Sequence, residues 1–250
     1  MRWDIASMSE RGERENNEDC VAYTAADAGI CAVLCDGLGG HDAGEAASKC
    51  VCDSVIADFK KAPAGADIDE LVCTLVQNAQ DTLMKLQTEL GKQGEMKTTV
   101  CCLLLQDGKA AAAYVGDSRI YRLRKNKVLV RSLDHSIPQY LARIGEIRER
   151  DIRHHPERNK LLRTMGSEWE SPRYERMSLD HSMNGDAFLL CTDGFWEWIE
   201  DKEMGVMLRQ ASCCEEWLDK MKALIYTRAR GKNMDNLSAI ALRQTENAVK

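Results

Sequence analysis

The chain has 250 residues, 44% of them hydrophobic and 30% charged, with a formal net charge of −6. That is an ordinary globular mixture, enough for one large domain or two small ones, and its acidic balance argues against nucleic acid as a main partner. No apolar run approaches the ~18 residues of a membrane span, and the stretch MRWDIASMSERGERENNED lacks a signal-peptide core, so a cytoplasmic protein without a membrane partner is expected. In chain order, β-rich runs occur at 20–25 (CVAYTA) and 29–36 (GICAVLCD). Two amphipathic segments, about 43–60 and 68–91, then repeat apolar residues at helical spacing, the second through Leu71, Leu75, Val76, Ala79, Leu83, Leu86 and Leu90. Further strands are expected at 98–106, 109–117, 119–124, 127–132, 186–193 and 237–242. A third helix is expected near 213–230, with Trp217, Leu218, Met221, Leu224 and Ile225 on its apolar face.

The middle strands are joined by tight turns at QDGK (106–109), GDS (116–118) and KN (125–126), which imply antiparallel hairpins. Helices before and after such a block favour an α+β layered domain over a doubly wound parallel sheet. Residues 137–172 are polar and poor in β-formers, an excursion from the core.

Eleven cysteines are present, two pairs of them adjacent, and no CxxC occurs. That spacing suits small reduced core residues better than a disulfide framework or a zinc site. A cysteine-phosphatase loop is also absent, since neither Cys35 nor Cys191 is followed by the CxxxxxR pattern.

Four acids share a setting. Asp36, Asp117 and Asp193 each close an expected apolar strand, and Asp235 sits just before one. A single aspartate at a strand end is ordinary turn chemistry. Four of them, with Glu18 and Asp19 nearby and glycine after Asp36 and Asp193, point instead to a hard-cation site. Clustered carboxylates repel unless a metal neutralises them, and Mg²⁺ and Mn²⁺ take oxygen ligands and keep water. Bare glycine backbone leaves room for that water and brings a carbonyl, here that of Gly37, to the ion. GxGxxG and the P-loop Lys-Ser/Thr are both absent.

DGLGGHDAGEAAS (36–48) resembles the DGxGGHxxGExAS signature of the metal-dependent Ser/Thr protein phosphatases of type 2C, the PPM family. RENNED (14–19) is similar to its RxxNED, and YVGDSRIYRLR (114–124) to its GDSRxY strand. DHS (134–136) with HPERNKLLRTMG (155–166) looks like a bacterial HPxRNxLxRxxG segment. LLCTDGFWE (189–197) resembles LLCSDGLWD, and DNLSAIAL (235–242) the closing DNxT strand. These motifs stand in family order over nearly the whole chain.

The resemblance implies a four-layer α-β-β-α sandwich with two central antiparallel sheets, forming one catalytic domain over 1–250 with a flap subdomain at about 137–162. It implies a phosphoprotein phosphatase that hydrolyses phosphoserine and phosphothreonine with two Mg²⁺ or Mn²⁺ ions and, in some settings, a third. By the same resemblance, Asp36 bridges the two ions, the Gly37 carbonyl binds one, and Asp193 and Asp235 hold the other. Glu18 and Asp19 bind metal or its waters, Arg14 grips the substrate phosphate, and Asp117 with Glu197 serves the third position. The family has aspartate at Glu197, and some members carry a histidine where this chain has Leu38, so neither the third site nor the proton donor transfers directly. Implied partners are phosphorylated proteins, substrates of a eukaryotic-type Ser/Thr kinase. The alternative is a non-catalytic module of this family that binds phosphoproteins or scaffolds a kinase, although none of the central acids is missing. His41, in GGH, has two open readings, phosphate contact and local hydrogen bonding.

Overall fold

The computed structural model describes residues 2–39, 42–177, 179 and 185–245; His41 lies outside them. The strands are β1 (Arg2–Glu10), β2 (Asp19–Ala26), β3 (Gly29–Leu38), β4 (Lys97–Thr98), β5 (Val100–Gln106), β6 (Lys109–Val115), β7 (Arg119–Arg124), β8 (Lys127–Arg131), β9 (Glu175–Met177), β10 (Asp186–Cys191) and β11 (Leu237–Thr245). The helices are α1 (Ala43–Phe59), α2 (Ile68–Leu90), α3 (Ile137–Arg143), α4 (Asp193–Trp196), α5 (Asp201–Gln210) and α6 (Cys214–Ala229), with a 3-10 turn at Glu149–His154.

Two antiparallel sheets result, one ordered β1-β11-β10-β7-β8 and the other β2-β3-β5-β6-β9, with β4 paired to the end of β3. Alternation along each central strand explains why these strands read as unbroken apolar runs. In β5, Val100, Cys102 and Leu104 face α1 and α2, while Cys101, Leu103 and Leu105 face the opposite sheet. In β10, Ala187, Leu189 and Cys191 face the α5 and α6 side, while Phe188 and Leu190 face inward. Both faces of each sheet are covered, so both positions of the two-residue repeat are apolar. The order of layers is helix, sheet, sheet, helix, as the resemblance implies.

The expected helices are present within a residue or two of their predicted ends. α2 starts under Asp67, whose side chain accepts from Asp69 N–H at 3.0 Å, and stops at Gly91 in the left-handed region (φ 65°). All eleven cysteines are free thiols.

Several elements were not anticipated. β1 mixes charged and apolar residues, but it pairs with β11 over nine positions, from Arg2↔Thr245 to Glu10↔Leu237. That partner lies over 200 residues away, so no local signal announces it. α5 has a thin apolar face, with Met204 and Leu208 buried in an otherwise polar stretch. The acids are also set differently from expectation. β3 continues past Asp36 to Leu38, β6 ends two residues before Asp117, and Asp193 begins α4 rather than ending β10.

Strand register collects these positions at one end of the sandwich. In the first sheet, Glu10 pairs with Leu237, and Cys191 pairs with both Ala239 and Arg119. In the second, Asp19 pairs with Asp36, and Val100 with Val115. Two of the crossings between sheets at this same end run through 11–18 and 116–118. The loops carrying Arg14, Glu18 and Asp117 are those crossings.

Buried glutamines on α2 hold the 94–98 and 164–167 segments beside this end. Gln87 donates to the carbonyls of Met96 (2.7 Å) and Gly166 (2.8 Å) and accepts from Gly94 N–H (3.0 Å). Gln80 donates to Ser167 (2.7 Å) and accepts from Gly166 N–H (2.8 Å). Replacing Gln87 with Ala leaves three backbone groups without their partner and opens a void. The expected loss is about 2–4 kcal/mol, read from the urea unfolding midpoint.

Candidate functional site

A cleft of about 620 Å³ opens at the end of the sandwich where the crossings meet. Arg14, Glu18, Asp36, Gly37, Asp117, Asp193 and Asp235 all line it, with Leu38 and Asn236. Asn159 and Leu161 of the polar excursion complete one wall. Two of the acids singled out in the sequence are not on this surface: Glu197, and Asp19, which is paired across the strands with Asp36.

Close backbone approaches assemble the set. A side chain on Gly37 would come within 2.3 Å of the Gly44 carbonyl and 2.6 Å of the Glu18 carbonyl. On Gly194 it would come within 2.1 Å of the Asn236 carbonyl, beside Asp235. Glycine after each of these aspartates therefore lets β3 meet α1 and lets the start of α4 meet the start of β11. Asn236 ties the first crossing down: its side chain accepts from Glu18 N–H (2.8 Å) and donates to the carbonyls of Arg11 (2.8 Å) and Asn16 (2.9 Å).

Asp117 is held from behind. Trp196 donates its indole N–H to the Asp117 carbonyl at 2.9 Å. Arg119 lies 3.4 Å over the Trp196 ring and makes a buried two-pronged pair with Asp134, at 2.8 and 2.7 Å. The DHS segment and the tryptophan thus serve packing and alignment. Arg14 donates to Asp235 at 2.5 Å, and its side chain is 47% exposed at the cleft mouth.

The electrostatics are those of crowded anions. Burial, then the charges of Asp19, Asp193, Asp117 and Asp235, pushes Asp36 well above the usual carboxylate range. Burial followed by Asp117, Glu197 and Asp235 does the same to Asp193. Asp19 is raised to about 7 by burial, against the opposing hydroxyls of Ser238 and Thr192. Asp117 is raised to about 7 by burial and then by Asp134. Glu18 is raised by burial, with Arg14 opposing. Arg14 itself is raised by its hydrogen bond to Asp235.

Such a set invites cations. Asp19 Oδ2 accepts from the Thr192 hydroxyl at 3.1 Å, but Asp19 Oδ1 is buried with no partner. The donors around the cleft are carboxylates and backbone carbonyls, the chemistry of Mg²⁺ and Mn²⁺. Among the described residues, no three His, Cys, Asp or Glu side chains gather tightly enough to chelate one ion by themselves. The arrangement fits hydrated ions that keep several waters, not a closed protein cage.

Glu197 is engaged elsewhere: its carboxylate takes the Nε–H of Arg158, from the excursion. Arg158 belongs to the HPERNKLLRTMG segment (155–166) of the sequence reading, and the structure pairs it with Glu197. Asn236 and the Thr98–Thr99 pair received no role in that reading. The available signal was a pair of polar residues opening an otherwise apolar strand, TTVCCLLL.

The sequence profile of the family described as Protein phosphatase 2C matches residues 8–236. The serine/threonine phosphatase stp of Listeria welshimeri is 29% identical over 195 residues, 75% of each chain. The serine/threonine protein phosphatase PstP of Mycobacterium tuberculosis is 30% identical over 237 residues, 94% of this chain and 44% of that one. A crystal structure of the PstP catalytic domain in complex with two manganese ions superposes with a TM-score of 0.81 at 25% identity, covering 98% of this chain and 99% of that one.

The raised acids set a pH dependence for protein stripped of divalent ions. Asp19 and Asp117 move from 3.8 in an ordinary carboxylate to about 7 in the fold. Between those values the folded chain holds more protons than the unfolded one, so stability falls as pH rises through that window and levels off above it. In chelator, the thermal midpoint is expected to be at least a few degrees higher at pH 5.5 than at pH 7.5. Added Mn²⁺ should raise it more at pH 7.5, as differential scanning fluorimetry would show.

Proposed function

The chain belongs to the protein phosphatase 2C family of serine/threonine phosphatases, and we propose that it hydrolyses phosphoserine and phosphothreonine in proteins by direct attack of water, using two divalent cations. The observation that carries this reading is the convergence of Arg14, Glu18, Asp36, Gly37, Asp117, Asp193 and Asp235 on one cleft from segments spread over more than 200 residues.

In this reading Asp36, the Gly37 carbonyl, Asp193 and Asp235 are the groups that would hold the two ions. Glu18 and Asp19 would hold water kept by such ions, the latter through its unpartnered Oδ1. Bound Mg²⁺ or Mn²⁺ neutralises the phosphate dianion and acidifies a water for in-line attack. Arg14, half-exposed and braced by Asp235, offers a planar fork to the phosphate oxygens. The phosphoryl transition state is loose, so alignment and charge stabilisation do most of the work, and no covalent enzyme intermediate is needed. Leu38 lines the cleft and carries no proton to give, so the leaving oxygen takes its proton from another group or from solvent.

A third ion would rest on Asp117 with little help from Glu197, which is engaged by Arg158. Residues 137–162 act as the flap: Asn159 and Leu161 reach the cleft wall from there. The opposing enzyme is a eukaryotic-type Ser/Thr kinase, a reading supported by the likeness of 155–166 to the bacterial members. No helix among the described residues is long and apolar enough to cross a membrane.

Asp36→Asn and Asp193→Asn should each lower kcat on a phosphopeptide by more than the ~10–100-fold typical of outer-shell changes. Both variants should keep their fold, because a buried repulsive charge is removed. Arg14→Ala should act mainly on KM, raising it about tenfold through the loss of a charge-assisted contact. Steady-state kinetics with Mn²⁺ separates these outcomes. If the wild-type chain releases no p-nitrophenol from p-nitrophenyl phosphate in Mn²⁺, the catalytic reading fails in favour of a phosphoprotein-binding one.

A further inference from the structure

Thr98, which ends β4, and Thr99, between β4 and β5, are fully buried. The register on either side, Leu34↔Cys101 and Gly37↔Thr98, places Asp36 directly across from Thr99. Residues so opposed in an antiparallel hydrogen-bonded pair exchange both N–H···O=C bonds. Here one of the two is replaced. Thr99 N–H donates to the Asp36 carbonyl at 2.9 Å, but Asp36 N–H donates to the Thr99 hydroxyl, Oγ1, at 2.9 Å. The Thr99 carbonyl is taken instead by the Thr98 hydroxyl at 3.0 Å, which also reaches the Asp36 carbonyl at 2.8 Å.

The hydroxyl that replaces the ladder bond is itself fixed. Thr99 Oγ1 lies 2.7 Å from Ser118 Oγ, buried beside Asp117. The Thr99 methyl fills the space above Gly116, where a Cβ would come within 2.5 Å of it. Thr99 therefore has one side-chain orientation open to it, with its methyl against Gly116 and its oxygen shared between Asp36 and Ser118.

We propose that Thr99 is a positioning residue for the reaction: its hydroxyl, oriented by Ser118, diverts the Asp36 N–H from the regular ladder and so aims the Asp36 carboxylate into the cleft. Through Ser118 the same oxygen links Asp36 to the Asp117 loop, joining two acids from different strand ends. The inference rests on the proposed role of Asp36 at the divalent cations. Without the hydroxyl, the Asp36 N–H returns to the Thr99 carbonyl or loses its acceptor, and the carboxylate turns with its peptide. A valine keeps the branched shape and the contact with Gly116 but has no acceptor; a serine keeps the acceptor and loses the methyl.

The test compares Thr99→Val with Thr99→Ser by Mn²⁺ titration calorimetry and phosphopeptide kinetics. T99V should bind Mn²⁺ about tenfold or more weakly, the scale of one lost hydrogen bond, and lower kcat with little change in KM. T99S should stay within about threefold of the wild type in both measurements while melting at a lower temperature, for the lost methyl. A purely packing role predicts the reverse order, T99S impaired and T99V close to wild type, and that result would overturn the inference. Wild-type protein that binds no Mn²⁺ would instead count against the metal site itself. In that event the Asp36 amide resonance of the chelated protein still decides the clamp. A shift in T99V but not in T99S supports it, and no shift in T99V refutes it. Should T99V not fold, Ser118→Ala takes its place with the same readouts and an expected effect of roughly fivefold or more; values within about threefold of the wild type there refute the clamp.

Discussion

Repulsion among carboxylates governs this molecule. Asp19, Asp36, Asp117 and Asp193 are each pushed upward first by burial; neighbouring acids come next at Asp36, Asp117 and Asp193, while the hydroxyls of Ser238 and Thr192 oppose the shift at Asp19. A protein selected only for stability would replace such a group with apolar residues or pair each acid with a cation of its own. Here Arg14 at the cleft mouth faces Asp235, and the deeper acids are left to share whatever positive charge enters. The site stores an electrostatic demand, and divalent ions meet it.

The rest of the fold resists that repulsion mechanically. Antiparallel register brings the ends of β1, β3, β6 and β10 and the starts of β2, β7 and β11 to one edge. Hydrogen bonds that spend no charge then hold the backbone there: Asn236 on the first crossing, Thr98 and Thr99 on Asp36, and the Trp196 indole on Asp117. Each is a neutral donor or acceptor acting on a main-chain group. A charged brace would compete with the cations for the carboxylates; a backbone brace does not.

Burial on both faces of the sheets supplies the rigidity behind this edge. The inter-sheet layer, with Leu34, Leu103, Phe188 and Ile240, ties the two halves together, so an acid carried by one sheet keeps its distance from an acid carried by the other. The excursion joins the same frame at its ends. Gln80 and Gln87 hold residues 166–167 to α2, and Arg158 reaches Glu197 beside the cleft. That last contact replaces a short acid of the family pattern with a longer one already engaged, and it separates this chain from a simple copy of the motif.

Local chemistry was enough to read much of this from the residues. Unbroken apolar runs located the central strands, three- and four-residue spacing located α1, α2 and α6, and the pairing of aspartate with glycine marked Asp36 and Asp193. These are properties of adjacent residues, and a linear string carries them. β1 was missed because its stability comes from β11 at the other end of the chain, and α5 because its apolar face is only two buried residues deep. The engagement of Glu197 by Arg158, the withdrawal of Asp19 behind the cleft wall, and the exchange of a ladder bond for the Thr99 hydroxyl were likewise decided only in the folded molecule. Charge repulsion and hydrogen bonding depend on distance through space, and that distance exists only after the sheets have packed.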